Sequence, residues 1–142
     1  MTLLLQYHFS LPAKYTMNLN KITEAMNPKC FVKARWGIWG AFLDMKRIVQ
    51  KQTREWIEEN NIQKLPAQVK EKFYVGNLKQ SNSFDPINYH TIEKPCVDTF
   101  VKSQILEDDN YSNIPEVSFY PLPMKPRKEY EFLLEFYSID TD

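Results

Sequence analysis

Four stretches of the chain carry the short apolar runs, or the alternation of apolar and polar side chains, that predict β-strands. The first is LLLQYHF near the start, and the second is the alternating run QVKEKFYV that follows Leu65-Pro66. The last two, EVSFYPLP and EYEFLLEFYSI, are separated by the basic segment MKPRK, which predicts a hairpin. The strands are therefore expected at residues 3–9, 65–75, 116–123 and 129–139.

Two longer stretches repeat apolar residues every three or four positions, which is the spacing of one helix face. The first stretch begins at about Pro28, because proline is favoured just inside a helix start, and it ends at the pair Asn60-Asn61. The second stretch covers residues 89–104 and has Pro95 within its first two turns, where a missing amide costs least.

The predicted order of elements is β, α, β, α, β, β. This order indicates one α+β domain over residues 1–142, in which a small mixed sheet packs with two main helices, and a frayed tail at 139–142. The composition agrees, because 43% hydrophobic and 14% aromatic residues are too apolar for a disordered chain. The only three glycines, Gly37, Gly40 and Gly76, cannot form a Gly-rich phosphate-binding loop.

The sequence also lacks the marks of a membrane or secreted protein. No apolar run approaches the ~20 residues of a membrane-spanning helix. The segment MTLLLQYHF is too short and lacks the basic lead of a signal peptide, so we expect a cytoplasmic protein. Cys30 and Cys96 have neither the count nor the spacing of a zinc site or a disulfide framework, and we expect both to be buried as small hydrophobic residues.

Charge is unevenly distributed along the chain, although the formal net charge is zero. Lysine and arginine far outnumber acids over residues 14–54, whereas acids far outnumber lysine over residues 85–116. A basic half beside an acidic pocket suits a protein that holds a polyanion and cuts it with a metal ion. The solvent-facing side of a long helix is equally often charged, so charge alone leaves both interpretations open.

The acidic region begins with a turn that contains Asp85 and Pro86. Proline fixes its own φ angle and stiffens this turn, and Asn88 is placed to cap the following helix with its side chain. We therefore expect Asp85 to stand at the start of that helix. An Asp-Pro pair before a helix is also common as ordinary turn chemistry.

A lysine and further acids follow the turn. Lys94 and Asp98 are one helical turn apart and share a face, and the pair Asp108-Asp109 comes directly after the apolar run of that helix. Carboxylates that converge around a cation suit magnesium-dependent cleavage of a phosphodiester, with the lysine offsetting charge on the phosphate. Taken singly, these features are also typical of an exposed ion pair and of solvated loop acids.

The joint order of these residues resembles the RusA-like Holliday-junction resolvases, endodeoxyribonucleases common in phages and prophages. Their pattern is an Asp-x-Asp-Asn turn, a lysine on the next helix, an aspartate one turn later, and an acidic pair after a short apolar stretch. The likeness extends over most of the chain, and its specific matches lie within residues 85–109. The matching positions are Asp85, Asn88, Lys94, Asp98, Asp108 and Asp109.

This resemblance implies a homodimer that depends on Mg²⁺, for which Mn²⁺ can substitute, and that resolves four-way or branched DNA junctions in the cytoplasm of a bacterial host. It implies catalytic roles for Asp85, Lys94, Asp98 and Asp109, with the metal held by Asp85, Asp109 and Asp108. Basic residues on the first helix and on the predicted hairpin turn are expected to bind DNA phosphates. These residues are Lys46, Arg47, Lys51, Arg54, Lys125, Arg127 and Lys128.

Ile87 departs from the pattern, because the family has its second turn aspartate at this position. An alkyl side chain cannot bind magnesium, and losing even an indirect partner of a metal site costs ~10–100-fold in affinity or activity. His90, Glu93 and Glu107 are available as substitutes. The alternative hypothesis is a catalytically impaired or inactive protein that binds branched DNA on the same fold. A third is an interaction protein whose aromatic surface binds a protein partner.

Overall fold

The computed structural model describes residues 1–13, 32–78 and 85–139, without the side chains of 32–41 and 88. Its helices and strands confirm the predicted α+β fold and the order of elements. Cys30, the predicted start of the first helix and the last residues of the predicted tail lie outside the described residues. The elements are β1 (Leu3–Pro12), α1 (Val32–Glu59), β2 (Val69–Gly76), a 3-10 turn (Pro86–Tyr89), α2 (His90–Lys102), β3 (Glu116–Pro121) and β4 (Glu129–Ser138).

The four strands form one mixed sheet in the order β1-β4-β2-β3. Strand β4 is antiparallel to both of its neighbours, so Leu134 lies opposite Tyr7 of β1 and Phe73 of β2. Strand β3 runs parallel to β2, with Phe119 opposite Phe73. Strand β2 is therefore an inner strand, and the buried side chains along it face the core.

The predicted hairpin between the last two strands is wrong, because β2 separates β3 from β4 in the sheet. The connecting segment contains Pro123 and Pro126, which have no amide hydrogen for a two-stranded ladder. The Leu122 amide instead donates to the Val75 carbonyl oxygen at 2.8 Å, and the segment then crosses the end of β2. Strand β4 consequently pairs with the other edge of β2.

Helix α1 packs its buried face on the sheet through residues spaced three and four apart, which are Phe42, Met45, Val49, Thr53 and Ile57. The buried Thr53 hydroxyl lies 2.8 Å from the Val49 carbonyl oxygen and 3.2 Å from the Tyr7 hydroxyl. The helix ends before Asn61, which has a φ of 48° in the left-handed region that asparagine tolerates at helix ends. The predicted end at Asn60-Asn61 is therefore confirmed.

Helix α2 packs beside α1 on the same face of the sheet. Its buried stripe is Ile92, Cys96 and Phe100, which are four residues apart. The Phe100 ring contacts the ring of Phe136 in β4, with centroids 5.7 Å apart, and the ring of Trp56 in α1, at 6.2 Å. The burial of Cys96 confirms its predicted structural role, and burial raises the pKa of its thiol.

Among the described residues, the structure contains no helix that is both long and apolar enough to cross a membrane.

Candidate functional site

The 3-10 turn that precedes α2 is held by Asp85. Its Oδ1 accepts a hydrogen bond from the Ile87 amide at 3.2 Å, and Pro86 occupies the first position of the turn. Tyr89, not Asn88, is the N-cap residue of α2, while the side chain of Asn88 is among those that are not described. Asp85 thus stands at the helix start as expected, and its carboxylate is used in the turn.

Lys94, Asp98 and Asp109 converge on one point of the surface. The Lys94 ammonium lies 3.2 Å from Asp98 Oδ1 and also contacts Asp109 Oδ2. The side chains are 48%, 30% and 26% exposed, so this cluster is open to a ligand from solvent. We call these three residues the lysine cluster.

The chain reverses after α2, which returns Asp109 to the helix. Gln104 has a φ of 63°, and the amides of Ile105 and Leu106 both donate to the Phe100 carbonyl oxygen, at 3.0 and 3.2 Å. Ile105 and Leu106 are then buried in the core, so the next residues run back along the surface of α2. This reversal brings Asp109, which is fifteen residues from Lys94, into contact with the lysine that Asp98 also contacts.

Asp108 supports the loop around the lysine cluster. Its Oδ1 accepts from the Asp109 amide at 2.7 Å, and its Oδ2 accepts from the Asn110 side-chain amide at 3.2 Å. The loop is tied in turn to the start of β2, because the Val69 amide donates to the Asn113 carbonyl oxygen at 2.9 Å. Asp109 is therefore held on one side by its own loop and on the other by Lys94.

Two buried carboxyl groups, of Glu71 and Glu93, belong to the surroundings of the lysine cluster. Glu71, on β2, is 2% exposed, and Glu93, on α2, is 5% exposed. Charge interactions link Glu71 to Glu93, Lys94 and Asp109. Burial, followed by the neighbouring Glu93 carboxylate, raises the pKa of Glu71 well above its ordinary value.

Glu71 could have been recognised from the sequence. The buried positions of β2 otherwise carry Val69, Phe73 and Val75, and Glu71 is the acid that interrupts this alternation. Glutamate is rarely buried without a partner, so an acid on the apolar side of a predicted strand indicates a functional site. Glu93 had been considered only as a substitute for the missing ligand at position 87.

The contacts within the site set the charge states of its groups. The Asp109 carboxylate, in contact with the Lys94 ammonium, has a pKa lowered from its ordinary value, and the same contact raises the pKa of Lys94. Both groups are therefore charged at neutral pH. His90 Nδ1 lies 3.5 Å from Glu93 Oε1, and this contact raises the pKa of the imidazole.

The fit of this site to magnesium depends on how many carboxylates the ion needs. In the part of the chain that the structure describes, no three Asp, Glu, His or Cys side chains already form a metal-binding group. Magnesium commonly takes one or two protein carboxylates and completes its shell with water and phosphate oxygens. Asp109 already contacts one cation, the Lys94 ammonium, and Asp108 is next to it in the chain, so a magnesium site of one or two carboxylates fits these residues.

The residues predicted to bind DNA differ in how free their side chains are. On α1, Arg47 and Lys51 are 76% and 68% exposed and form long ion pairs with neighbouring acids, at 3.7 and 4.0 Å. Arg54, Lys125 and Lys128 are also exposed, and Lys46 is half-buried.

The Arg127 side chain, by contrast, is only 4% exposed. Its guanidinium donates to Glu131 Oε2 at 3.1 Å and to the Pro123 carbonyl oxygen at 2.6 Å, and it reaches the Asn77 carbonyl oxygen at 3.5 Å. These contacts tie the segment between β3 and β4 to the end of β2. Binding of DNA phosphate by Arg127 stays a prediction, while its contacts here are internal.

Comparison with known proteins adds no relative to this description. No protein-family model matches the chain. A search of curated proteins returned no match either. The lysine cluster and the residues around it are therefore the basis for a function.

Proposed function

We propose that this protein is a magnesium-dependent, structure-selective endodeoxyribonuclease that cuts four-way or branched DNA, of the RusA-like kind. The single observation that carries the proposal is the lysine cluster. Three residues that the sequence pattern selected, Lys94, Asp98 and Asp109, meet at one exposed point, although Asp109 is fifteen residues from Lys94. The turn at Gln104 and the burial of Ile105 and Leu106 bring Asp109 to this point.

The residues have separate roles in this proposal. Asp109 would hold the metal, with Asp108 beside it and Asp85 contributing from the turn before α2. Asp98 would hold the Lys94 ammonium in place, at its present distance of 3.2 Å. When bound, magnesium supplies Lewis-acid stabilisation of the scissile phosphate and a more acidic water.

Lys94 has to change partners to act on DNA. Its raised pKa keeps the ammonium protonated at neutral pH, and both of its present partners are carboxylates. A phosphate that enters the cluster would replace one carboxylate as the partner of the ammonium. Lys94 would then offset the negative charge that grows on the phosphate during cleavage.

DNA binding is assigned to the exposed basic side chains of α1 and of the segment between β3 and β4. Arg47, Lys51 and Arg54 are spaced four and three residues apart, so they lie along one face of α1. Such phosphate contacts position the duplex without reading its sequence. We also propose a homodimer, because a two-fold symmetric junction needs two matched sites. The proposed location is the cytoplasm of a bacterial host, as the resemblance to this family implies.

The proposal is tested with a labelled four-way junction, incubated with purified protein and Mg²⁺ or Mn²⁺. Wild type should give symmetric nicks, and Asp109→Asn should lose them while it still binds the junction in chelator. Glu116→Gln is the matched control, because Glu116 is an exposed acid that pairs with Lys70, and Lys70 alternates with the buried positions of β2 and so lies on the other face of the sheet. If wild type gives no nicks at any salt concentration, the nuclease assignment is wrong.

A second candidate function, branched-DNA binding without cleavage, is favoured by Ile87. This side chain is 56% exposed, so it presents an alkyl group beside the start of α2 where the pattern has a ligand. Ile87→Asp separates the two functions. A gain in nicking at unchanged junction affinity would indicate an impaired nuclease, whereas no activity from either protein, with tight binding, would indicate a DNA-binding protein.

A further inference from the structure

Glu71 is the least expected side chain in the core. It lies on the inner strand β2, opposite Val117 of β3 and Phe136 of β4, and it is 2% exposed. Burying a carboxylate costs several kcal/mol unless partners compensate it. A buried carboxylate that costs the fold free energy in this way indicates a functional role.

One oxygen of Glu71 lacks a hydrogen-bond partner in the described part of the chain. Oε2 is buried and has no hydrogen-bond donor among the described residues. The groups with which the Glu71 carboxylate interacts are those of the site, namely Glu93, Lys94 and Asp109. Glu71 lies opposite Phe136, whose ring contacts that of Phe100 in α2, so its side chain is on the face of the sheet that carries this helix.

The charges of the site are also out of balance. The Lys94 ammonium is shared between Asp98 and Asp109, and Glu71 and Glu93 add two further carboxylates behind it. The imidazole of His90 contacts Glu93 and adds positive charge only when protonated. Four carboxyl groups around one ammonium, two of them buried, form an electrostatic setting in which a divalent cation binds to their ionised forms.

We propose that Glu71 is a cation-binding carboxylate of this site, and that it supplies the negative charge that Ile87 cannot supply. The cation class is a small divalent ion with a preference for oxygen, magnesium or manganese, and this choice rests on the proposed function. Glu71 is buried, whereas Lys94, Asp98 and Asp109 are partly exposed, so an ion from solvent would reach Glu71 through the lysine cluster and compete there with the ammonium. The ion would displace to solvent the proton that burial favours on Glu71, and it would supply the partner that Oε2 lacks.

The test measures the binding of Mn²⁺ alone to the full chain, without DNA. The electron paramagnetic resonance signal of the free ion reports how much Mn²⁺ is bound. Glu71→Gln should weaken Mn²⁺ binding by ~10–100-fold. Glu116→Gln makes the same chemical change at an exposed acid and should bind Mn²⁺ as wild type does. Glu71→Leu is a second variant with the same expectation, because an apolar side chain of similar size suits this part of the core.

Thermal unfolding with and without Mn²⁺ gives a second readout. A purely structural role for Glu71 would change the midpoint in chelator without changing the rise that Mn²⁺ adds. The inference is overturned if Glu71→Gln and Glu71→Leu bind Mn²⁺ like wild type, or if wild type binds none at millimolar concentration. If Mn²⁺ binding depends on Glu71 but no junction is cut, the inference stands and the nuclease assignment fails.

Discussion

Lys94 and Asp109 are in contact through ammonium and carboxylate, although one lies on α2 and the other in the segment that follows it. The left-handed residue Gln104 and the burial of Ile105 produce this contact, because they reverse the chain at the end of the helix. The path of the backbone after α2 therefore places Asp109 near the helix, and the side chains of Lys94 and Asp109 then make the contact. A site made in this way is rigid where Asp109 is anchored and adjustable at the long side chain of Lys94.

Replacing Lys94 with methionine tests whether its ammonium occupies the cation position. Lys94→Met keeps the length of the side chain and removes its charge, so Asp98 and Asp109 lose the ammonium that they share. Mn²⁺ should bind several-fold more tightly, while nicking of a four-way junction should fall on the order of 10²–10³-fold. The measurements are Mn²⁺ titration and single-turnover cleavage with the same protein.

The stability of the Lys94→Met variant is the control for that experiment. Lys94 is 48% exposed, and exposed ion pairs contribute little, so the free energy of unfolding should change by less than about 1 kcal/mol. A variant that cuts junctions as fast as wild type would show that Lys94 does not act on the phosphate. Weaker Mn²⁺ binding would show that the ammonium does not compete with the ion.

The elements of the fold could be predicted from local patterns, but the pairing of strands could not. The apolar spacing in α1 and α2 and the alternation in β2 are properties of short segments, and each gave the correct element. Pairing of β3 with β2, rather than with β4, depends on contacts between distant segments. One of them is the Leu122 amide on the Val75 carbonyl oxygen.

The candidate site likewise combines contacts that local patterns predict with contacts that they do not predict. Lys94 and Asp98 share a helix face at a spacing of four, so their proximity follows from the helix alone. Asp109 needed the reversal after α2, which the end of the apolar run only suggested. Glu71 comes from another strand, so its place beside Lys94 requires the packing of α2 on the sheet.

Glu71 should make the protein less stable as the pH rises. Burial and the Glu93 carboxylate raise its pKa above the ordinary 4.5, so the folded state keeps a proton that the unfolded state loses above that pH. Glu71→Gln removes this titration. The variant should therefore gain stability over wild type, with a gain near zero below pH 4.5 that grows toward neutral pH.

Urea unfolding in chelator, repeated between pH 4.5 and pH 7.5, measures this difference. Glu116→Gln is again the matched control, because Glu116 is exposed and its difference from wild type should not grow with pH in the same way. A Glu71→Gln variant that is less stable than wild type at every pH would mean that the ionised carboxylate contributes to folding.

Arg127 should matter to stability more than its neighbours do. Its guanidinium is buried and donates to Glu131 and to the Pro123 carbonyl oxygen, so Arg127→Ala should lower the free energy of unfolding by about 2–3 kcal/mol. Lys125→Ala, at an exposed position of the same segment, should change it by less than about 0.5 kcal/mol. Equal effects of the two substitutions on urea unfolding would contradict the internal role of Arg127.

Gly76 offers an independent test of the same contact. A Cβ atom at this position would lie 2.8 Å from Arg127 Nε and 2.9 Å from its Cζ, which is closer than real side chains approach. Gly76→Ala should therefore displace the guanidinium and destabilise the wild-type protein. In an Arg127→Ala background the same glycine substitution should cost less, because the two positions are in contact and their effects are not additive.

The basic face of α1 should set how strongly salt weakens DNA binding. Each phosphate contact adds ~0.9 to the slope of log affinity against log salt concentration, so the double substitution Arg47→Ala and Lys51→Ala should flatten the slope by up to about twice that amount. Both side chains are well exposed, and their ion pairs of 3.7 and 4.0 Å are too weak to prevent phosphate binding.

Lys64→Ala removes an exposed lysine outside α1 and is the matched control. Gel-shift titrations of a four-way junction in chelator, at several salt concentrations, measure the slope, and an unchanged slope in the double variant would place the DNA elsewhere on the protein.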